Sequence, residues 1–334
     1  MIFKNALLHN VSQLEEYEDG YLMMRLPDYV DKGFVHKNGQ GKNMNRKNPG
    51  VEIRFVCKDE NPVRIKIRSF SEGSCTFAPV FYGNFQSGAT DTMKVITDEA
   101  DWITINPPQN LEKLKAITKE KNLPFAPEVV RVILNGANIL YDIEGNIEPP
   151  TADMMPEKTI FIYGSSITFG KSDLPGTTVQ SYMIGDKLGC DYINMGFAGS
   201  CIAERELADY IANDAKWDIL FLEMGINAWG IPEVYRENIT HMLNEVCTKN
   251  PDKPIIVTDA YKCNADYFGE DIIVNIRKVV KEVLATMNYE NLHYVPATEI
   301  SDDFKGFGLD MLHPFVRGHE NIADRIAENI KKYV

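Results

Sequence analysis

The stretch Lys158-Thr-Ile-Phe-Ile-Tyr-Gly-Ser-Ser-Ile-Thr-Phe-Gly170 decides the fold class of the second half of this chain. Its apolar run Ile160 to Tyr163 predicts a buried strand, and Gly164-Ser165-Ser166 predicts a turn into a helix. In an open parallel α/β sheet, ligands bind at the carboxyl ends of the strands. A serine at that place lies at a helix N-terminus, where free N–H groups favour developing negative charge. Such a turn is more often a simple helix cap than a nucleophile, so its interpretation depends on the rest of the chain.

After this stretch, strand-like runs alternate with helical apolar stripes. The predicted strands are Thr159–Tyr163, Tyr192–Met195, Ile219–Met224, Ile255–Asp259 and Leu292–Val295. Between and after them, apolar residues recur at helical spacing, as from Ile272 to Leu284 and from Ile322 to Ile330. This alternation predicts a three-layer α/β domain over residues 151–334, with a parallel sheet of five strands covered by helices on both faces.

The first half of the chain has a different period. Val51–Cys57 and Val63–Arg68 alternate apolar with mostly charged residues, as expected for an antiparallel sheet with one face in water. Further predicted strands are Thr76–Tyr82, Thr92–Thr97, Val129–Leu134 and Asn138–Ile143. Short strands at this spacing predict a β-sandwich of jelly-roll type over residues 1–150. The Pro-rich segment 148–157 predicts the linker.

No catalytic arrangement is visible in this first half. Two interpretations stay open for it: a structural appendage, or a wall or lid that shapes the substrate site of the second half. His36, in a loop rich in Gly, Asn and Lys, is interpreted as a surface residue.

Composition narrows the class of protein. The chain has 334 residues, of which 44% are hydrophobic and 25% charged, as in an ordinary soluble globular protein. A net charge of −13 without a basic stripe disfavours nucleic acid and anionic membranes as partners. Because no apolar run approaches membrane-spanning length and no leader-like segment is visible, a cytoplasmic location is expected.

The six cysteines are scattered without C-x-x-C spacing, so they indicate reduced structural thiols and neither a zinc site nor a redox motif. No glycine-rich phosphate-binding motif follows a strand, and nucleotide binding is therefore unsupported. Neither a metal nor an organic cofactor is expected.

Four predicted strand ends carry polar residues that could act together. They are Gly164-Ser165-Ser166, Asn194–Gly199, Glu223–Asn227 and, beyond the last strand, Asp310–His313. An Asp and a His three residues apart can meet on one side of a helical turn, so that the carboxylate holds one ring nitrogen and leaves the other free as a base. Taken singly, each residue could be a cap, a turn residue or an ordinary loop histidine. All four at successive ends of one sheet are much less expected by chance.

These four stretches resemble the signature blocks of the SGNH/GDSL hydrolase superfamily, in order and separation, over about residues 156–334. The resemblance implies a flavodoxin-like hydrolase domain with Ser166 as nucleophile. It also implies a triad completed by His313 and Asp310, and an oxyanion hole made by the N–H groups of Ser166 and Gly199 and the side chain of Asn227. The preceding sandwich is similar to that of carbohydrate-esterase and acyltransferase-like members.

The chain departs from the superfamily pattern at two positions. Ser165 stands where the superfamily usually has Asp, and Ala228 stands where Asp is common. Neither position carries a triad or oxyanion role, so these departures do not put the implied activity in question. They do leave the subfamily and the substrate undetermined.

The resemblance implies a serine carboxylesterase that needs no cofactor and removes a small acyl group, with acetyl preferred, from a sugar or oligosaccharide. Two alternatives remain: an acyltransferase with the same triad, and a catalytically idle carbohydrate-binding protein. Trp229, two residues beyond Asn227, is predicted to line the acyl or sugar pocket, with a buried core position as the alternative.

Overall fold

The computed structural model describes residues 1–35, 39–88, 92–170, 175–301 and 303–333. His36 lies outside these described residues. The strands are β1 (Ile2–Phe3), β2 (Ala6–His9), β3 (Gln13–Tyr17), β4 (Gly20–Met24), β5 (Glu52–Cys57), β6 (Val63–Ser69), β7 (Thr76–Tyr82), β8 (Phe85–Gln86), β9 (Met93–Ile96), β10 (Asp101–Ile105), β11 (Val129–Ile133), β12 (Asn138–Glu144), β13 (Ile147–Glu148), β14 (Thr159–Gly164), β15 (Asp191–Gly196), β16 (Ile219–Glu223), β17 (Ile255–Thr258) and β18 (Leu292–Val295).

The α-helices are α1 (Asp28–Asp31), α2 (Gln40–Asn45), α3 (Leu111–Lys121), α4 (Ser166–Phe169), α5 (Gln180–Leu188), α6 (Arg205–Asn213), α7 (Pro232–Lys249), α8 (Asn264–Phe268), α9 (Asp271–Ala285), α10 (Ala297–Ile300) and α11 (Val316–Ile330). Short 3-10 helices span Ala152–Met154, Gly176–Thr178, Phe304–Gly306 and Lys331–Tyr333. Within the described residues, no helix combines the length and apolar character needed to cross a membrane.

The first half of the chain folds into two antiparallel sheets. One has the order β1-β2-β5-β11-β7-β8, with β13 added at β5 and β9 at β7, and the other has the order β10-β6-β12-β4-β3. The inner faces share an aliphatic core, with Ile53 and Val132 on one sheet packed against a cluster that includes Ile65 and Leu140 on the other. The predicted β-sandwich is therefore confirmed.

Several elements of this half were not predicted. Strands β1–β4 were missed because they are only two to five residues long and show no clear alternation of apolar and polar residues, and β8, β10, β13, α1 and α2 were not predicted either. Helix α3 interrupts a region that the sequence indicated to be entirely of period two. None of its residues is buried, so it has no apolar stripe through which its sequence could be recognised as helical.

The second half is built on a parallel sheet with the order β15-β14-β16-β17-β18. This is the flavodoxin-like arrangement, in which the second strand lies outside the first and the later strands follow on the other side. All five predicted strands are confirmed, with boundaries within one residue of those expected. The order makes β14 the neighbour of both β15 and β16, so the polar stretches after these three strands meet at one sheet edge.

Helices cover both faces of the parallel sheet, as the alternation predicted. One apolar cluster joins the sheet to α6, α7 and α9, and the other joins it to α5 and α11. The buried residues of α11 are Gly318, His319, Ile322, Ala323, Ile326, Ala327 and Ile330, which include the whole predicted stripe.

The first half also packs directly against the second. Leu26, Val30 and Phe34, in and around α1, join the core cluster of the parallel-sheet half. On the outer face of the sandwich, Arg54 of β5 forms two hydrogen bonds, of 2.6 and 2.7 Å, with the carboxylate of Asp191 at the start of β15. Both side chains are buried, so this ion pair joins the two sheets out of contact with water.

Candidate active site

The turn after β14 presents Ser166 at the carboxyl end of the parallel sheet. Ser165 is the N-cap of the short helix α4, and its hydroxyl accepts a hydrogen bond from the backbone N–H of Ile167 at 3.1 Å. Ser166 follows as the first helical residue and is 7% exposed, with its side chain in the cleft described below. The short helix therefore fixes the direction of the Ser166 hydroxyl.

The structure brings Ser166, His313 and Asp310 into one chain of hydrogen bonds. Ser166 Oγ lies 2.7 Å from His313 Nε2, and His313 Nδ1 lies 2.6 Å from Asp310 Oδ2. The other carboxylate oxygen, Oδ1, accepts hydrogen bonds from the backbone N–H groups of Leu312 at 3.1 Å and His313 at 3.0 Å. Asp310 thus holds both the ring and the backbone of His313.

The surroundings of Asp310 favour the ionised form of its carboxyl group. Partial burial alone would raise the pKa of this carboxyl, but the hydrogen bonds from the His313 ring and from the two backbone N–H groups outweigh burial and lower the pKa below its ordinary value. Asp310 is therefore ionised near neutral pH, as a group that orients an imidazole and balances its positive charge should be.

The Asp310–His313 segment is a tight turn and not the helical turn that the sequence suggested. Met311 has a φ of 51°, in the left-handed region, which takes the backbone out of a helical path. Helix α8 supports the turn, because the backbone N–H of Asn264 donates to Met311 O at 2.8 Å and its side chain donates to Asp310 O at 3.3 Å. The two side chains still meet, through the turn and not through helical spacing.

Ser166, Gly199 and Asn227 carry the N–H groups that were expected to form an oxyanion hole. Among the described residues, the backbone N–H groups of Ser166 and Gly199 have no hydrogen-bond acceptor. Asn227 Oδ1 accepts a hydrogen bond from the backbone N–H of Cys201 at 3.1 Å. Ser166, Gly199 and Asn227 all line the same cleft, so the structure brings together all the residues expected to form an oxyanion hole.

Gly199 has a specific reason to be glycine. Its φ of 73° lies in the left-handed region, and a Cβ at this position would lie 2.4 Å from Nε2 of Gln40. The Gln40 side chain donates to the neighbouring carbonyl of Ala198 at 2.8 Å, so it holds this turn from the side of the sandwich half.

Glu223, at the end of β16, lies beneath the turn that carries Ser166. Its carboxylate accepts hydrogen bonds from the hydroxyl and backbone N–H of Thr168, at 2.6 and 3.1 Å, and from the backbone N–H of Ser165 at 3.3 Å. The hydroxyl of Ser165 also bonds to it. Burial raises the pKa of Glu223 above its ordinary value, with the hydrogen bonds from Ser165 and Thr168 acting in the opposite direction.

A cleft of about 480 Å³ opens over Ser166. Its walls are formed by Gln40, Met44, Lys47, Gly136, Ser166, Phe169, Ala198, Gly199, Asn227, Leu312 and His313. The first four of these residues belong to the sandwich half, which therefore forms one wall of this cleft. No sequence signal pointed to them, because they reach the cleft only through packing between segments that are distant in the sequence.

Arg25 joins the two sides of this cleft from behind. Its guanidinium donates to the carbonyls of Met44 at 2.7 Å and Lys47 at 3.0 Å on the sandwich side. It also donates to the carbonyls of Asn194 and Gly196, both at 3.0 Å, where β15 leads into the turn that carries Gly199. The side chain is 1% exposed, and this residue was also not singled out from the sequence.

Trp229 does not lie where either interpretation placed it. It is 57% exposed, which excludes a buried core position, and it is absent from the residues that line the cleft. It lies on the surface two residues beyond Asn227. In the part of the chain that the structure describes, no group of three or more His, Cys, Asp or Glu side chains is placed to hold a metal ion.

Solved structures with similar folds cover nearly all of the chain. The salicylyl-acyltransferase SsfX3 from a tetracycline biosynthetic pathway has a TM-score of 0.77 at 12% identity, covering 99% of this chain and 96% of its own. A putative GDSL-like lipase from Bacteroides ovatus ATCC 8483 has a TM-score of 0.62 at 17% identity, covering 98% and 96%. A family two carbohydrate esterase from Clostridium thermocellum, in complex with cellohexaose, has a TM-score of 0.56 at 12% identity, covering 85% and 93%. At these identities the likeness shows a shared fold.

Comparison with curated protein sequences gives no match. The sequence profile of the GDSL-like Lipase/Acylhydrolase family matches residues 157–331, which is more than half of the chain and contains all four polar stretches. This match confirms the resemblance drawn from those stretches. The chain belongs to the GDSL-like Lipase/Acylhydrolase family.

Proposed function

We propose that this chain is a serine esterase that hydrolyses small acyl esters, acetyl esters foremost, of a sugar or oligosaccharide. The observation that carries the proposal is the continuous relay from Ser166 Oγ through His313 to Asp310, with hydrogen bonds of 2.7 and 2.6 Å. A serine within hydrogen-bond reach of a base that is itself oriented by a carboxylate is the arrangement that activates a hydroxyl as a nucleophile.

In the proposed reaction, Ser166 Oγ attacks the ester carbonyl while His313 Nε2 takes its proton. Asp310 keeps the ring in the required orientation and balances the positive charge that His313 acquires. His313 then gives its proton to the leaving alcohol, and an acyl-enzyme remains on Ser166. Water repeats the cycle, with His313 again as base, and releases the carboxylic acid.

The tetrahedral intermediates carry a negative oxygen that needs preorganised donors. We assign this role to the backbone N–H groups of Ser166 and Gly199 and to the side-chain amide of Asn227. The bond from the backbone N–H of Cys201 to Asn227 Oδ1 fixes the position of this side chain beside the cleft. Removing one such donor typically costs about 2.7–4 kcal/mol of transition-state stabilisation.

The size of the substrate is inferred from the cleft and the neighbours. A cleft of about 480 Å³ walled by the sandwich half suits a small acyl group on a compact alcohol better than a long acyl chain. Carbohydrate esterases are among the similar folds, and one of them was solved with cellohexaose.

Acyl transfer is the second candidate. The likeness to a salicylyl-acyltransferase extends over 99% of the chain and includes the sandwich half. The same acyl-enzyme would then be attacked by an alcohol in place of water, so both reactions share every step up to the acyl-enzyme.

The experiment that tests the proposal is nitrophenol release from 4-nitrophenyl acetate, butyrate and octanoate, with Ser166→Ala as the matched variant. We expect turnover to fall from acetate to octanoate and to be lost in Ser166→Ala. A preference for octanoate would contradict the small acyl pocket. Turnover that survives in Ser166→Ala would overturn the serine mechanism. Adding a soluble alcohol separates the candidates, since a transferase forms the new ester and a hydrolase forms free acid.

A further inference from the structure

Among the residues that the structure describes, one lysine lines the cleft that opens over Ser166. Lys47 is half-buried, and it lines the cleft together with Gln40 and Met44. Among the described residues, no carboxylate lies within ion-pair distance of its ammonium group. Among the described residues that line this cleft, Lys47 and His313 are the only ones with basic side chains.

The backbone of Lys47 is held firmly. Its carbonyl accepts a hydrogen bond of 3.0 Å from Arg25, and its N–H donates to Met44 O at 3.1 Å. The next residue, Asn48, is fully buried and donates from its backbone to Gly136 O at 2.6 Å and from its side chain to Met23 O at 3.1 Å. Lys47 therefore lines the cleft from a fixed backbone, and Arg25 ties that backbone to the strand end that precedes Gly199.

The charge of Lys47 contrasts with its surroundings. The chain carries a net charge of −13, and several other lysines are paired with Asp or Glu, as Lys187 is with Asp324 at 2.6 Å. Asp310, the acidic residue of the relay, already directs both carboxylate oxygens to His313 and its backbone. A half-buried lysine that lines the cleft and pairs with no carboxylate of the described residues suits an anionic oxygen of a ligand.

We infer that the physiological ester carries an anionic group, a carboxylate or a phosphate, which Lys47 binds while the ester carbonyl lies at Ser166. This inference rests on the proposed esterase function and specifies its substrate class. The contact is one of binding, formed equally in the ground state and the transition state, so it should affect KM more than kcat.

The test compares matched anionic and neutral esters in the same enzyme. One pair places the charge on the acyl group: mono-4-nitrophenyl glutarate against 4-nitrophenyl valerate. Two further pairs place it on the alcohol: acetylated glucuronic acid and acetylated glucose 6-phosphate, each against acetylated glucose. The measured quantity is the ratio of kcat/KM for the anionic ester to that for the neutral ester, which cancels general losses of activity.

We expect this ratio to exceed one in at least one pair. It should fall about fivefold in Lys47→Gln, the size of a partly exposed ion pair. It should be retained in Lys47→Arg and decrease with added salt in the native enzyme. Lys42 lies in helix α2, just before Lys47 in the sequence, and does not line the cleft, so Lys42→Gln removes a positive charge nearby and should keep the native ratio. The pair that shows the preference identifies the anionic group.

A ratio at or below one in every pair would overturn the inference, as would a ratio that is unchanged in Lys47→Gln. Both results are distinguishable from failure of the esterase proposal itself, in which the neutral esters would show no turnover that depends on Ser166.

Discussion

The carboxylate of Glu223 accepts a hydrogen bond of 2.6 Å from the hydroxyl of Thr168, beneath the turn that carries Ser166. The same carboxylate binds the hydroxyl and the backbone N–H of Ser165, so four donors on both sides of Ser166 converge on one buried side chain. Because β16 supplies Glu223 and β14 supplies the turn, two neighbouring strands fix the nucleophile together. Glu223 is thus a positioning residue, although it does not line the cleft.

Replacing Glu223 tests this role. We expect Glu223→Ala to leave four buried donors without an acceptor and to lower the free energy of unfolding by about 2 kcal/mol or more. Its kcat should fall by about 10²-fold, since a displacement of the nucleophile by about 1 Å is enough for that loss. Glu223→Gln keeps one acceptor oxygen and should retain most of the unfolding free energy and most of kcat. Urea unfolding measures the first quantity and initial rates measure the second. An Ala variant as active as the Gln variant would contradict the role of Glu223 as a positioning residue.

The raised pKa of Glu223 gives a dependence of stability on pH. The folded protein binds this proton more readily than the unfolded chain, whose carboxyl has the ordinary pKa of 4.5. As pH rises above that value, the native protein should lose stability relative to Glu223→Gln, by up to about 1.4 kcal/mol per pH unit until the folded-state pKa is passed. The difference in unfolding free energy between the two proteins, measured from pH 4 to 8, should show this slope. A difference in unfolding free energy that stays constant with pH, or that changes in the opposite direction, would contradict this prediction.

The same carboxylate explains why serine is found at position 165. An Asp there would bring a second carboxylate against Glu223 in a buried site, and like charges at this range repel strongly. We expect Ser165→Asp to be less stable and less active than Ser165→Ala, which loses the helix cap, at about 0.5–2 kcal/mol, and the hydrogen bond from the hydroxyl to Glu223. The double variant Ser165→Asp/Glu223→Gln should recover much of the loss. Thermal unfolding and ester turnover measure these effects. A Ser165→Asp variant as stable and as active as the native protein would disprove this explanation.

The two charges of the buried pair Arg54–Asp191 should stabilise each other, so that removing one of them destabilises the protein more than removing both. Asp191→Asn leaves the charge of Arg54 buried with one counter-ion fewer and should lower the unfolding free energy by about 3–5 kcal/mol. The double variant Arg54→Met/Asp191→Leu removes both charges and should lose much less. Asp28→Asn, which breaks the exposed pair with Lys32, is the control and should change little. If Asp191→Asn were no worse than this control in urea unfolding, the pair would have no such role.

Much of this architecture could be predicted from the sequence. The parallel strands were recognisable because each is a short apolar run followed by Gly or polar residues, as in β14 and its Gly164-Ser165-Ser166 end. Ser166, Gly199, Asn227, Asp310 and His313 were recognisable together, because a strand-by-strand reading assigns most of them to one sheet edge. The turn at Met311 could not be distinguished from a helical turn, since both bring residues three apart together.

The sandwich side of the site could not be predicted. Gln40, Met44 and Lys47 come near Ser166 only because segments distant in the sequence pack together. The spacing of apolar residues along the sequence carries no information about such contacts. Arg25 in a sequence reads as a surface cation, because nothing local indicates that four backbone carbonyls will surround it. Glu223 was visible at a strand end, but its role depends on the path of the neighbouring turn.

The measurement that tests the central claim most directly is covalent labelling by a serine-directed fluorophosphonate, located by peptide mass spectrometry. The phosphonyl group forms a bond to an activated serine oxygen and expels fluoride, so it reports the nucleophile without knowledge of the substrate. We expect rapid, stoichiometric labelling at Ser166, greatly slowed labelling in His313→Gln, and none at this peptide in Ser166→Ala. Labelling at another residue, or labelling of Ser166 at the same rate in His313→Gln, would contradict the relay from Ser166 to His313.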